Sequence, residues 1–126
     1  MPLAAPSLER IADCHIEVAP LLDVGETPVG RRRLVPITGG CVLGPKLRGR
    51  VLPHGADFQL ITAPHVTHIH ARYVIETNAG EAVYVENTGL RVAAPELIAQ
   101  INAGQPVDPA LVYFRSSPRF ETAAPR

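Results

Sequence analysis

The residues best suited to chemistry gather in the stretch Thr67 to Glu76, where His68, His70, Arg72 and Glu76 fall on alternate positions. Alternation is the signature of a β-strand, so these side chains and Val74 project to one face, and Ile69, Ala71, Tyr73 and Ile75 to the other. A polar strand face has two readings. In a sandwich it meets solvent, whereas in an eight-stranded barrel it can line the interior and hold a small ligand. In the second reading Arg72 holds a carboxylate or developing oxyanion, and Asp57, His70 or Glu76 moves the proton.

Each of these residues also has a plainer role. An inward Arg72 cannot shed its charge, so it needs a carboxylate or an anionic ligand beside it. Asp57 and Glu76 are the natural protein partners, and an ion pair that fixes barrel register competes with an anion anchor. Asp57 follows a tight turn and could cap it instead. His68 and His70 have the spacing of strand-borne metal ligands, with Glu76, His65 or His54 as further donors, but no third and fourth ligand can be placed. Two histidines on a polar face are the simpler reading, and no metal or cofactor is assigned.

Thr38-Gly39-Gly40 interrupts a strand with paired glycines, which marks a bend at a barrel corner or a ligand lying against bare backbone, with Thr38 beside it. Arg31-Arg32-Arg33 reads as a solvated charge run at a strand start. Tyr84 and Tyr113 offer phenolic donors or plain packing. No serine, cysteine or threonine sits in a nucleophile elbow, and no glycine-rich phosphate loop follows a strand, so hydrolase and nucleotide-binding classes receive little support.

The elements that must position these groups are strands. Thirteen Pro and ten Gly punctuate the chain, and short segments rich in Val, Ile, Tyr, Phe and Thr lie between them, which predicts a sheet with tight connections. Strands are predicted at Leu8 to Val18, Arg33 to Leu43, Lys46 to Leu52, Asp57 to Thr62, Thr67 to Glu76, Ala82 to Glu86 and Leu111 to Thr122. Asn78-Ala79-Gly80 and Pro53-His54-Gly55 are predicted hairpin turns. One stretch differs: from Ala94 to Gly104, Pro95 and Glu96 open a segment in which Leu97, Ile98 and Ile101 recur at helical spacing before Gly104 closes it. It predicts one short helix, packed on the sheet or plugging a barrel end.

Composition narrows the partners. The 126 residues suit one domain. Twelve basic residues balance twelve acidic ones, which removes the electrostatic footprint of a nucleic-acid binder. Eleven of the twelve cations are Arg, and because its planar fork reads carboxylate and phosphate bidentately, any Arg facing inward is a candidate anchor. Cys14 and Cys41 show no ligand or redox spacing and read as small buried hydrophobes. The N-terminal segment has no basic stretch followed by an apolar run, and no window is apolar enough to span a membrane, so a cytoplasmic location is expected.

Five blocks carry a resemblance. They are Gly30 to Gly40, then Gly44 to Leu47 with Gly49 to Pro53, then Gly55-Ala56-Asp57-Phe58, then Ala71-Arg72-Tyr73, and lastly Tyr113-Phe114-Arg115 with Pro118 to Thr122. In this order, across nearly the whole chain, they resemble domain-of-unknown-function family 3237, also called uncharacterised protein family 0311. The resemblance implies an eight-stranded up-and-down β-barrel that self-associates, without an assigned activity. The chain departs from the family's usual residues at His54, His70 and Ala79. The family also runs on beyond the Phe-Glu-Thr block, so an open strand edge is expected that a partner subunit would cover.

The expectation is thus an all-β protein, a small antiparallel up-and-down barrel with one short helix, that binds a small molecule and forms a homo-oligomer. An acid/base isomerase or lyase acting on an oxygenated organic acid or phenol is the first function considered. A non-catalytic binding or structural module is the second, and a histidine-based metal enzyme the third.

Overall fold

In the computed structural model, which describes residues 1–125, eight strands form one antiparallel sheet. They are β1 (Asp13–Val18), β2 (Leu22–Thr27), β3 (Gly30–Leu43), β4 (Gly49–Val51), β5 (Gly55–Ala63), β6 (Val66–Thr77), β7 (Ala82–Val92) and β8 (Tyr113–Thr122). Between β7 and β8 come the helix α1 (Pro95–Asn102) and a single 3-10 turn at Pro109–Leu111. The expected all-β, up-and-down architecture with one short helix is therefore present.

The eight strands occupy six positions across the sheet, because two pairs lie end to end on one flank of a neighbour. β1 and β2 both pair with β3, at Ile37 to Leu43 and Gly30 to Leu34 respectively. β4 and β5 likewise share the other flank of β3 and continue onto β6. Pro53-His54 is consequently a break within one strand line, not the hairpin expected. His54 holds φ 83° there, a left-handed conformation that side chains other than Gly rarely adopt. Asn78 to Gly80 does close a hairpin, with the Gly80 N–H donating to the Thr77 carbonyl at 2.9 Å.

Other boundaries moved for physical reasons. The first strand loses Leu8 to Ala12, since β3 offers no partner beyond the Asp13–Leu43 pair. The third predicted strand shrinks to Gly49–Val51 because the bend at Gly44-Pro45 turns Lys46 to pair with Ile11 instead. β2 was hidden by its sequence, Leu-Asp-Val-Gly-Glu-Thr, which carries only one β-branched apolar residue. β7 runs six residues beyond the predicted Glu86, because polar Asn87, Thr88 and Arg91 still make ladder pairs with β6 and β8. The mid-strand Thr38-Gly39-Gly40 is a bulge opposite Glu17 and Val18. Gly40 sits at φ 142°, and a Cβ there would overlap the His15 carbonyl oxygen. That fits the corner reading.

The core gathers at one end of the concave face: Ile37, Val42, Val51, Ala71, Tyr73, Ile75, Val83 and Val85. Burial pushes the Tyr73 phenol up to about 12, so its hydroxyl is neutral at physiological pH. Cys14 corrects expectation, being exposed on the outermost strand, while Cys41 is half-buried and both thiols are free. β1 and β8 form the two edges of the sheet and are not paired with one another. Among the described residues no helix is long and apolar enough to cross a membrane.

α1 starts with Pro95 in its first turn and Glu96 near the positive end of the helix. Ile98 is its buried anchor, whereas Leu97 and Ile101 are half-buried. Ile98→Ala is expected to lower stability by about 2–4 kcal/mol by emptying the space its buried side chain fills. Urea denaturation checks this, and a change below about 1 kcal/mol would show that α1 is not anchored through Ile98.

Candidate functional site

The ladder registers decide which side chains enter the barrel, because directly paired residues on neighbouring strands share a face. The row Val35–Asp57–Ala71–Asn87–Pro118 crosses five strands. Ala71 is buried in the core, so the inner face of β6 is the apolar one: Thr67, Ile69, Ala71, Tyr73 and Ile75. The alternate set faces out. Arg72 and His68 are exposed, His70 and Glu76 half-buried, and Tyr84 and Thr38 exposed. The expectation that Arg72 points inward with Asp57 or Glu76 is overturned. Five inward side chains of β6 are apolar or small and fill the concave side, leaving its charged residues to the outer surface.

Of the residues singled out from sequence, only Asp57 lies inside. His70, Arg72 and Glu86 form an outer cluster, with His70 Nε2 2.8 Å from Glu86 Oε1 and Arg72 Nε 3.4 Å from the same ring nitrogen. Glu76 pairs with Arg50 at 3.1 Å instead of Arg72, and His68 Nε2 contacts Thr62 Oγ1 at 3.2 Å. Among the described residues no three His, Cys, Asp or Glu side chains converge as metal ligands, so His68 and His70 lack the further donors that the metal reading needed.

The outer cluster has a pH consequence. The hydrogen bond from His70, aided by Arg72 and Arg119, holds the Glu86 carboxyl below its ordinary value of 4.5. A depressed folded-state value means that the unfolded chain takes up the proton first. The stabilisation is therefore complete above the ordinary glutamate range and lost as pH falls through the folded value. The stability difference between the native protein and Glu86→Gln should shrink below about pH 4. Parallel melts from pH 7 to pH 3 check this, and a constant difference would sink it.

Inside the barrel, beyond the apolar core, lies a polar chamber that sequence reading largely missed. Arg91 is 8% exposed and Gln59 is 7% exposed, and Arg33 and Asn87 are half-buried. Asp57 is locked in place: Oδ2 accepts from Gln59 Nε2 at 2.9 Å and Oδ1 from the His70 backbone N–H at 3.0 Å. Ala71 stands between Asp57 and Asn87 in the ladder, and its single methyl leaves the space between these two polar side chains open. Arg91 and Arg33 are near enough to act on each other: burial pulls Arg91 below the usual arginine value, Asp57 pulls it up, and Arg33 lowers it further.

Several of these groups have no partner. Among the described residues, Arg91 Nε and Nη2, Arg33 Nη1 and Asn87 Oδ1 are buried without a hydrogen bond. An orphaned buried donor forfeits about 1–3 kcal/mol, more when charged. Arg31, by contrast, is taken by Asp23 and Glu26, so the Arg31–Arg33 run is a solvated rim only in part. α1 lies across this end. Ile101 faces a cavity of about 430 Å³ with Gln59, Arg91, Val35, Val18 and Leu21, and Ile98 borders a second cleft with Arg31 and Arg33.

The signal for this chamber was present but weak. Val83, Val85, Asn87, Gly89 and Arg91 alternate like the inner face of β6, yet ending the strand at Glu86 removed Asn87 and Arg91 from view. Arg33 was obscured by its two basic neighbours.

A small antiparallel barrel-like sheet with a polar chamber under a capping helix is the class defined by these features. The chain belongs to the family described as protein of unknown function, DUF3237, which it matches over residues 6–126. It is 46% identical over 122 residues to a UPF0311 protein of Rhodopseudomonas palustris strain TIE-1, covering 95% of this chain and 80% of that protein. It is 41% identical over 107 residues to a UPF0311 protein of Clostridium acetobutylicum, covering 85% and 68% respectively. A crystal structure of a conserved protein of unknown function from R. palustris superposes with a TM-score of 0.88 at 42% identity, covering 96% of this chain and 81% of that one. A structure from Acinetobacter baumannii described as a β-barrel like protein superposes at 0.75 with 34% identity, covering 98% and 82%.

Proposed function

We propose that this barrel binds a small organic molecule in the chamber beneath α1, against Gln59 and Arg91, with Asp57 fixing Gln59 in place. The observation that carries the reading is that Gln59 and Arg91 line a cavity beneath the helix while Arg91 keeps two buried donors unpaired. Buried polar groups without partners, beside a largely apolar pocket of a few hundred Å³, are the usual mark of a ligand site. The candidate site thus moves from the outer-facing His70, Glu76, Arg72, His68, Thr38 and Tyr84 to the interior, where Arg91 takes the anchoring role.

The test is a thermal-shift screen of neutral, anionic and cationic compounds against the native protein and Ile101→Trp, which fills the cavity from the helix side, or Val35→Phe, which fills it from the sheet. Stabilisation of the native protein, lost in the filled variants, is the expected result. Stabilisation that persists in both filled variants would place binding elsewhere.

A second reading concerns assembly. β1 and β8 present open edges, and the inward-side Phe114 and Phe120 of β8 are 43% and 46% exposed. Open edges are normally paired or covered, which supports self-association through these strands. Light scattering giving a monomer at tens of micromolar would overturn it.

A further inference from the structure

We propose that the chamber's ligand is a monocarboxylate with an apolar body, its two oxygens received by one edge of Arg91; this rests on the ligand-binding reading just given. The edge is defined by atoms. Nε–H and Nη2–H point the same way within the guanidinium plane, forming the pair of parallel donors that fits both oxygens of a carboxylate. Those are the two Arg91 nitrogens buried without an acceptor. Asp57 does not supply it: its side chain is hydrogen-bonded to Gln59 and to the His70 N–H, and not to Arg91.

Charge and shape narrow the class. Asp57 is the carboxylate acting on Arg91, while Arg33 acts on both Arg91 and Asp23, so the Arg91 charge has no acceptor in contact at its Nε–Nη2 edge. A monoanion received there would neutralise that charge. A phosphate dianion would overshoot this balance. The remaining cavity wall is mostly apolar, with Val18, Leu21, Val35 and Ile101 beside a single Asn102, and suits an aryl or branched alkyl body. Both Arg91 nitrogens are closed off from solvent, so the side chain must turn toward the cavity as the ligand enters. That turn breaks no bond at these two nitrogens, because neither makes one in the free protein.

The experiment titrates benzoate, phenylacetate, mandelate and 3-methylbutanoate, with phenylacetamide and inorganic phosphate as controls, into 15N-labelled native protein. Arginine Nε–H resonances are followed by NMR, Arg91 being assigned by its disappearance in Arg91→Lys. At least one carboxylate should move the Arg91 Nε–H resonance and bind at least tenfold more weakly to Arg91→Lys, which keeps the charge and lacks the fork. Should that variant fail to fold by circular dichroism, Arg33→Lys should show a smaller weakening. Phenylacetamide binding as tightly as phenylacetate, with resonances of Gln59 and Val35 shifted and Arg91 unmoved, would leave the ligand site standing and overturn the carboxylate class. Phosphate binding more tightly than every carboxylate would overturn it too. No compound moving any chamber resonance would overturn both readings.

Discussion

Asp57→Ala is expected to lower stability by about 3–5 kcal/mol, the penalty for removing one partner from a buried charged network. Three consequences coincide in that substitution. Gln59 Nε2 and the His70 N–H lose their acceptor, and Arg33 and Arg91 lose the carboxylate that offsets them. In a chain of this length the drop corresponds to roughly 10–20 °C in melting temperature. Asp57→Asn, which keeps an acceptor oxygen and removes the charge, should fall between the two. Chemical denaturation with a two-state fit measures all three, and an Asp57→Ala loss under about 1 kcal/mol would show that the carboxylate holds nothing together.

Arg91→Met should move stability the other way, raising it by about 1–2 kcal/mol in the free protein. Arg91 is buried by its neighbours yet makes no hydrogen bond through Nε or Nη2, so its desolvation is not compensated, and a flexible apolar side chain of similar length removes that cost. Gain of stability on loss of a site residue is the usual trade between function and stability. The two substitutions are also coupled. Without Arg91 less positive charge depends on Asp57, so Asp57→Ala should cost less in the Arg91→Met background, and a double-mutant cycle reports the difference. A destabilisation by Arg91→Met of more than about 1 kcal/mol would identify Arg91 as a strut.

How much of this was legible beforehand follows from which patterns are local. The alternation of Thr67 to Glu76 gave the strand, its two faces and their membership, because side-chain direction in a strand has period two. It did not say which face turns inward. That depends on the register with β5 and β7, where Asp57 meets Ala71 and Ala71 meets Asn87, contacts that no single segment encodes. Asp57 was found because it follows a tight turn beside a recognisable block. Arg91 was lost because Asn87, Thr88 and Gly89 look like the end of a strand, and only pairing on both flanks keeps β7 extended to Val92. β2 escaped for the same reason: a Gly and two carboxylates weaken its local preference, and β3 overrides it.

The end-to-end arrangement of the strands bears on how the chain reaches this state. Across the sheet, each strand lies beside one that precedes or follows it closely in chain order, so strands can add successively to a growing sheet. The hairpin of β6 and β7, with eleven paired positions about the Asn78 to Gly80 turn, is the longest local unit and the expected nucleus. Val83→Ala should then slow folding more than it speeds unfolding, whereas Ile37→Val, on a strand that must dock from outside the hairpin, should act chiefly on unfolding. A chevron analysis giving both the same φ-value would refute that order. Arg91 and Asn87 would in that case ride on the first structure formed, still in water, and surrender their hydration only when β3 and β5 close over them, so the chamber's desolvation would fall late in folding.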